Sequence, residues 1–299
     1  MYPPRGLILV LAVLLPLTAS AGTVMFDPPI GSSIVETTFQ QNLPGWTAAG
    51  DFNKDGILDV VVTSGGEDVH IMLGISDGQG KRDGSFTQND IRYAGENPGI
   101  GKVGDVDNDS NLDIVWSDNG NGRLTVVLGD GTGGFGPADR YPVFGGMRSV
   151  ESGDLNGDAS VDLIGSNCCS AAAYLLNNGV VAPGTFGQVQ NLNEPGLAGN
   201  PARSYIEVAD LNGDGEQDVV IGNQSPNISV LLANSGDDGF TRSQLIDNVD
   251  SSANGLAVGD FDGDTIPDLA ANSLVFGVHV FLGIGDGTFG PAATYQVGS

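Results

Sequence analysis

Cysteine, histidine and basic residues are scarce in this chain of 299 residues. It contains two cysteines, two histidines and 11 Lys and Arg residues, against 37 acids. Cys168 and Cys169 are adjacent, so they cannot link distant segments, and disulfides do not explain the stability of the fold. A vicinal disulfide, free thiols or a bond to another chain all stay open. The formal net charge of −26 argues against nucleic acid or anionic lipid as a partner, because both require clustered Lys and Arg.

Long apolar runs are also missing, apart from one near the N-terminus. This run, Gly6 to Leu17, is shorter than a membrane span and is followed by the small residues Ala19-Ser20-Ala21. The order is typical of a signal peptide over residues 1–21, cleaved before Gly22. We therefore expect residues 22–299 to be one domain that is secreted, periplasmic or held at the cell surface, with no membrane span after cleavage.

Residues that could carry catalysis are few. His70 and His279 occupy equivalent places in two repeated units, and other units have Thr125, Ala173 and Ser229 there. Such variety favours a tolerant strand position over general-base catalysis. No serine lies in a nucleophile elbow, and no His/Cys cluster has zinc spacing. The sequence predicts a protein that is not an enzyme.

Acidic loops of nine residues are what the chain has instead. Five copies recur at intervals of roughly fifty residues, which is typical of propellers and other repeat arrays. They are residues 51–59, 105–113, 154–162, 210–218 and 260–268. Each loop has oxygen-bearing side chains at positions 1, 3, 5 and 9. Alternate residues of a tight loop can direct oxygens at one centre, and calcium takes six to eight such ligands at about 2.3–2.6 Å. The spacing predicts about five Ca²⁺ sites.

The candidate calcium ligands are the side chains at positions 1, 3, 5 and 9 and the backbone carbonyl at position 7. By loop they are Asp51, Asn53, Asp55, Ile57 and Asp59; Asp105, Asp107, Asp109, Asn111 and Asp113; Asp154, Asn156, Asp158, Ser160 and Asp162; Asp210, Asn212, Asp214, Glu216 and Asp218; and Asp260, Asp262, Asp264, Ile266 and Asp268. The EF-hand opens with the same pattern, but it ends on Glu at position 12 and has flanking helices, whereas apolar strand-like runs flank these loops. We expect affinities on the order of 10⁻⁴ to 10⁻³ M, as in other extracellular modules.

Position 6 of the loop favours glycine, because the turn there needs positive φ. The first loop has Gly56 and the fourth has Gly215 at this position. The remaining loops have Ser110, Ala159 and Thr265. We therefore expect backbone strain or weaker binding in loops two, three and five, offset in loops two and five by a fourth acid at position 3.

The sequence around each loop predicts short strands. An apolar run follows each loop directly, at residues 60–62, 114–116, 163–164, 219–221 and 269–271. A second apolar run, a glycine-rich turn and a mixed strand come next, and a short run of small and branched residues precedes the loop. Four strands per unit, 47 glycines and no helical periodicity predict an all-β propeller of about five four-stranded blades. A part of a larger ring is the alternative.

Aromatic residues occur at fixed places in the units. The turn before each last strand delivers one phenylalanine, namely Phe86, Phe135, Phe186, Phe240 and Phe289. An aromatic at a constant position predicts a packing anchor between elements of the core. Trp46 and Trp116 could stack on sugar rings, but core packing is the favoured role for both.

The stretch Asp210 to Ile221, an acidic loop followed by Val219-Val220-Ile221, resembles the FG-GAP/VCBS repeat of integrin α-chain propellers and of many secreted bacterial proteins. Gly285 to Pro291 resembles the outer-turn signature of the same repeat. The resemblance covers nearly all of the mature chain and implies a calcium-braced β-propeller that binds partners outside the cell. The chain departs from it in the non-glycine residues at position 6, in Cys168-Cys169, and in having fewer units than the integrin propeller.

The resemblance favours an extracellular recognition or adhesion module whose ligand is a protein or a polysaccharide. Calcium would act as a structural brace. Similar repeats occur in lectins and in calcium-containing polysaccharide lyases, so a carbohydrate-active protein is the alternative. Fold alone does not decide between these functions.

Overall fold

A computed structural model describes residues 46–63, 68–76, 82–93, 95, 98–118, 120–143, 147–167, 171–192, 205–222, 227–234, 239–247, 255–273 and 277–296. The predicted signal peptide, residues 1–21, and Cys168 and Cys169 lie outside these described residues. All described strands belong to one compact unit, Val35–Ser299. The part of the chain that the structure describes contains no helix with the length and hydropathy of a membrane span.

Each repeated unit folds into one antiparallel sheet of four strands that pair in chain order. The first sheet contains β1 (Trp46–Gly50), β2 (Asp59–Thr63), β3 (Asp68–Ser76) and β4 (Arg82–Tyr93). The second contains β5 (Pro98–Gly104), β6 (Asp113–Asp118), β7 (Arg123–Val127) and β8 (Asp139–Pro142). The third contains β9 (Met147–Gly153), β10 (Asp162–Asn167), β11 (Ala171–Leu175) and β12 (Gln190–Leu192), with a turn of 3-10 helix at Gly179–Val181.

The last two sheets repeat the same plan. The fourth contains β13 (Tyr205–Ala209), β14 (Asp218–Gly222), β15 (Asn227–Ala233) and β16 (Phe240–Asp247). The fifth contains β17 (Leu256–Gly259), β18 (Asp268–Ser273), β19 (Gly277–Phe281) and β20 (Ala293–Tyr295). The prediction of an all-β fold with five four-stranded units is confirmed.

The acidic loop joins the first strand of each sheet to the second. In every sheet, the residue before the loop pairs with position 9, so strand pairing closes the base of the loop. These pairs are Gly50 with Asp59, Gly104 with Asp113, Gly153 with Asp162, Ala209 with Asp218, and Gly259 with Asp268. The register of the sheet therefore holds both ends of each candidate metal loop.

The second strands of the middle sheets are buried because a neighbouring sheet covers each of their faces. All five residues of β14, Asp218–Gly222, are buried, and so are all six of β6. A continuous Val- and Ile-rich run is typical of a strand with two buried faces. This explains why the apolar runs after the loops do not alternate with polar residues.

Apolar clusters join each sheet to the next one along the chain. Among the described residues, one cluster each links sheets one and two, two and three, three and four, and four and five. The first strands also contact one another in sequence, β1 with β5, β5 with β9, β9 with β13 and β13 with β17. Sheets that succeed one another through their first strands form a propeller-like fold.

The aromatic residues test the packing predictions. Trp116 is fully buried in the cluster between the first two sheets and Trp46 packs against it, which confirms the core role. Four of the five phenylalanines lie in or against the clusters, namely Phe135, Phe186, Phe240 and Phe289. The prediction is wrong for Phe86, whose exposed fraction is 42%. The others are covered by the preceding sheet, and no described strand precedes β1.

Candidate metal sites

The first aspartate of each loop organises the turn. Its carboxylate accepts the backbone N–H of position 6 in all five loops, at 2.8–3.0 Å. The carboxylate at position 5 accepts the N–H of position 7 in all five, and the side-chain oxygen at position 3 accepts the N–H of position 5. The side chains at positions 1, 3 and 5 are thus turned into the concave side of the loop.

The aspartate at position 9 anchors the loop to the sheet. One oxygen accepts the N–H of position 2 at 2.7–2.9 Å. The other accepts the N–H of a residue near the end of the third strand, sixteen positions later in loop two and fifteen in the other loops. The position-9 residues are 0–1% exposed. A carboxylate has about four lone-pair sites, so two remain for a cation. This double anchoring role was not predicted from the sequence.

Two positions in each loop have left-handed backbone. Position 6 has positive φ in every loop, as predicted, including Ser110 at 72°, Ala159 at 65° and Thr265 at 75°. Position 4 also has positive φ in every loop, and this was not predicted. Its residues are Lys54, Asn108, Gly157, Gly213 and Gly263. Three glycines among five residues were the sequence signal for this second turn.

The carboxylates of two loops converge enough to hold a metal ion. Ligand atoms of Asp105, Asp107 and Asp109 in loop two all lie within 4.8 Å of one another. The same holds for Asp260, Asp262 and Asp268 in loop five. These are the two loops with an acid at position 3, whereas the other three have Asn there. Together the two groups include positions 1, 3, 5 and 9, the side-chain positions that the sequence predicts.

Burial without a cation disfavours the charged form of the position-9 aspartates of the first four loops. Burial raises the pKa of Asp113 and of Asp162 to about 7, and that of Asp218 to about 6, against the hydrogen bonds that lower each value. The charges at positions 1 and 5 of the same loops also contribute to the raised pKa values of Asp162 and Asp218. A divalent cation at the loop centre would favour the ionised form. The donor set, all hard oxygens, fits calcium.

Glu216, at position 7 of loop four, lies at a contact between two loops. Glu216 is 9% exposed, and its Oε2 is buried with no hydrogen-bond partner among the described residues. Its Oε1 faces Gly157 of loop three, and the N–H of Gln217 donates to the carbonyl of Asp154 at 2.9 Å. Loops three and four are therefore in contact. That position 7 supplies a backbone carbonyl to a metal stays a prediction.

The two histidines occupy equivalent places, as predicted. His70 pairs with Val62 and His279 with Ala271, each opposite the residue three positions after the loop. His279 is 5% exposed, its Nδ1 lies 2.9 Å from the Thr294 hydroxyl, and its Nε2 is buried without a partner among the described residues. The described surroundings of His279 are those of a strand residue packed near Phe281.

A sequence profile of the FG-GAP-like repeat matches residues 51–116, 105–165, 154–221 and 210–271. Each match starts at one acidic loop and ends in the strand that follows the next acidic loop. Together the four matches span more than half of the chain. The chain therefore belongs to the FG-GAP-like repeat family. No curated protein matches it by sequence.

Solved structures with a similar fold include a lectin from Agrocybe aegerita that recognises non-reducing terminal N-acetylglucosamine. It is 23% identical with a TM-score of 0.59, and the match covers 84% of this chain but 65% of the lectin's length. A structure of BBS1N in complex with ARL6DN matches at 10% identity and a TM-score of 0.54, covering 85% of this chain and 67% of that one. A functionally unknown protein from Desulfotomaculum acetoxidans matches at 13% identity and a TM-score of 0.57, and the match covers 87% of this chain and 72% of that one. These likenesses concern the fold.

Proposed function

We propose that this protein is an extracellular recognition module whose loops bind calcium as a structural brace, and that it acts by binding rather than by catalysis. The observation that carries the proposal is the convergence of carboxylates in loops two and five, with the same internal hydrogen bonds in all five loops. Asp105, Asp107 and Asp109 would hold the ion in loop two, with Asp113 closing the shell. The corresponding residues of loop five are Asp260, Asp262, Asp264 and Asp268.

The charge of the chain supports bound cations. Without metal, loop carboxylates repel one another, and five divalent ions would bring the formal net charge from −26 to about −16. Because the loops join the first and second strands of each sheet, ion binding is coupled to formation of the sheet. Export to a calcium-rich compartment, implied by the predicted signal peptide, would keep sites of modest affinity occupied.

Calcium binding is tested by equilibrium dialysis and by thermal unfolding with and without chelator. Asp260→Asn/Asp262→Asn should remove one ion per chain and lower the melting temperature. Asp286→Asn is the matched control, since Asp286 is in an exposed outer turn of the same sheet and accepts hydrogen bonds from Thr288. An unchanged melting temperature in excess chelator would overturn the proposal.

A carbohydrate ligand is the second candidate, and the likeness in fold to the N-acetylglucosamine-specific lectin favours it. We would test it by light scattering after size-exclusion chromatography of the protein mixed with polysaccharides, in millimolar calcium and in chelator. Calcium-dependent co-elution, strongest with chains that end in N-acetylglucosamine, supports a lectin. Shortened polysaccharide would instead identify a lyase or hydrolase, and no change would direct the search to protein ligands.

A further inference from the structure

One side-chain contact recurs at every junction between sheets. The residue at loop position 2 lies against the outer-turn phenylalanine of the next sheet. Phe52 meets Phe135 with ring centroids 5.5 Å apart, and Leu211 lies in one cluster with Phe289. The position-2 residues of the first four loops, Phe52, Val106, Leu155 and Leu211, are 2–3% exposed. Burial at this position therefore requires a following sheet.

Two further contacts repeat beside it. A leucine near the end of the third strand lies against an outer-turn glycine of the next sheet, as Leu73 does with Gly133 and Leu232 with Gly287. The last strand then binds the backbone near the next phenylalanine. The Arg92 guanidinium donates to the Phe135 carbonyl at 2.7 Å, and in the next sheet the Tyr141 hydroxyl, at the place equivalent to Arg92, accepts the N–H of Phe186 at 3.2 Å.

In the fifth sheet, the residues at the three positions that make these contacts are exposed. Phe261 is 50% exposed, Leu282 is 47% and Tyr295, at the place of Arg92 and Tyr141, is 58%. We call these three residues the trailing face. Among the described residues, no hydrophobic cluster joins the fifth sheet to the first.

The first sheet shows the complementary half of the contact. Phe86, which lies within β4 and is equivalent to the phenylalanines of the later outer turns, is 42% exposed, and Leu58 at loop position 8 is 37% exposed. In the second sheet the position-8 residue, Leu112, lies against Gly50 of the sheet before it. We call Leu58 and Phe86 the leading face.

We propose that the trailing face of one molecule binds the leading face of a second copy, so that the chain associates head to tail. The two faces are the two halves of an interface that the fold already makes four times. The match is closest to the first junction, because position 2 is phenylalanine only in loops one and five. Phe261 would meet Phe86 of the second copy as Phe52 meets Phe135.

The chemistry of the chain sets conditions for this association. The interface uses two different faces, so it is heterologous and extends or closes a series of copies rather than pairing them symmetrically. A net charge of −26 repels a second copy, and salt or divalent cations screen that repulsion. Association should therefore strengthen with calcium and with ionic strength.

Sedimentation velocity over a range of concentrations, in millimolar calcium and moderate salt, tests the proposal. We expect a mass that rises with concentration. Phe261→Ser and Phe86→Ser should each weaken association at least about tenfold, as for truncation of a central aromatic. Val180→Ser is the control, since Val180 is 97% exposed on neither face. A monomer at every concentration, or equal loss in the control, would overturn the proposal.

Cysteine cross-linking fixes the geometry. In a Cys168→Ser/Cys169→Ser background, Phe86→Cys and Phe261→Cys chains should form a disulfide-linked dimer when mixed and oxidised, above the background of each variant alone. A dimer from Phe261→Cys alone would indicate a symmetric contact and refute the head-to-tail arrangement. A cross-link within single chains that carry both substitutions would show that one molecule closes on itself, which also contradicts the proposal.

Discussion

The ring of Phe52 meets the ring of Phe135 edge-on, with planes at 70° and centroids 5.5 Å apart. Phe52 is at position 2 of an acidic loop, and its own N–H donates to Asp59 at position 9. Its carbonyl accepts the N–H of Gly133 in the next sheet at 3.1 Å. One residue therefore ties the candidate metal loop to the junction between sheets, and loop order and sheet packing should be lost together.

This relationship predicts the cost of truncating the ring. Phe52→Ala should lower the free energy of unfolding by about 3–5 kcal/mol, the range for a buried aromatic. Phe261→Ala, at the same loop position but half exposed, should change the stability of the monomer by less than about 1 kcal/mol. Urea unfolding at low protein concentration measures both. Equal losses would show that the junction does not determine the effect.

The left-handed turn at position 6 gives a second prediction. A Cβ added to Gly56 would meet no atom within 4 Å, so Gly56→Ala changes only the backbone preference. With φ at 81°, it should cost about 1 kcal/mol. Thr265→Gly should gain a similar amount, because a β-branched residue there has φ of 75°. Thermal unfolding in saturating calcium compares the two, and shifts of the same sign would contradict the strain argument.

Much of the local structure could be predicted from the sequence, because local residues determine it. The apolar runs after the loops became β2, β6, β10, β14 and β18, and positive φ at position 6 follows from the turn itself. Position 4 was missed, since Lys54 and Asn108 conceal a preference that Gly157, Gly213 and Gly263 show. The two backbone N–H groups that donate to each position-9 carboxylate are brought together by the strand register. The spacing of the repeats in the sequence does not show that register.

The burial of a residue depends on the neighbouring sheets, so identical residues at equivalent places do not predict equal burial. Phe86 and Phe289 stand at equivalent places in their units, yet Phe289 is 4% exposed and Phe86 is 42%. The repeat pattern predicts the same anchor for both. The difference arises because Leu211 of the preceding sheet covers Phe289, whereas no described sheet precedes Phe86.

A row of charges across three first strands predicts a pH dependence. Lys102 forms an ion pair with Glu151 of the next sheet. Burial, and then the charge of Glu151, raise the pKa of Glu207 to about 7, while Lys102 lowers it. Because the folded value exceeds the unfolded one, ionised Glu207 destabilises the fold increasingly as pH rises from about 4 to 7.

Glu207→Gln removes that charge and should stabilise the protein by about 1–2 kcal/mol at pH 8, with little gain at pH 5. The value is below the full pKa shift because the side chain is partly exposed. Asp286→Asn is the control, since it removes an exposed carboxylate from an outer turn and should give no gain at pH 8. Denaturant unfolding at the two pH values measures the difference. A gain independent of pH would rule out ionisation as the cause.

The position-9 aspartates of loops two and three predict opposite pH responses with and without calcium. Burial raises the pKa of Asp113 and Asp162 to about 7, well above the unfolded value. In chelator, the folded state therefore binds more protons than the unfolded state between about pH 4 and 7, and the melting temperature should rise on acidification through that window. In calcium, protons compete with the ion for the same carboxylates, so the melting temperature should fall over the same range. Calorimetry at pH 5.5 and 8 with and without calcium distinguishes the two responses, and a fall on acidification in both would mean that these carboxylates stay ionised without metal.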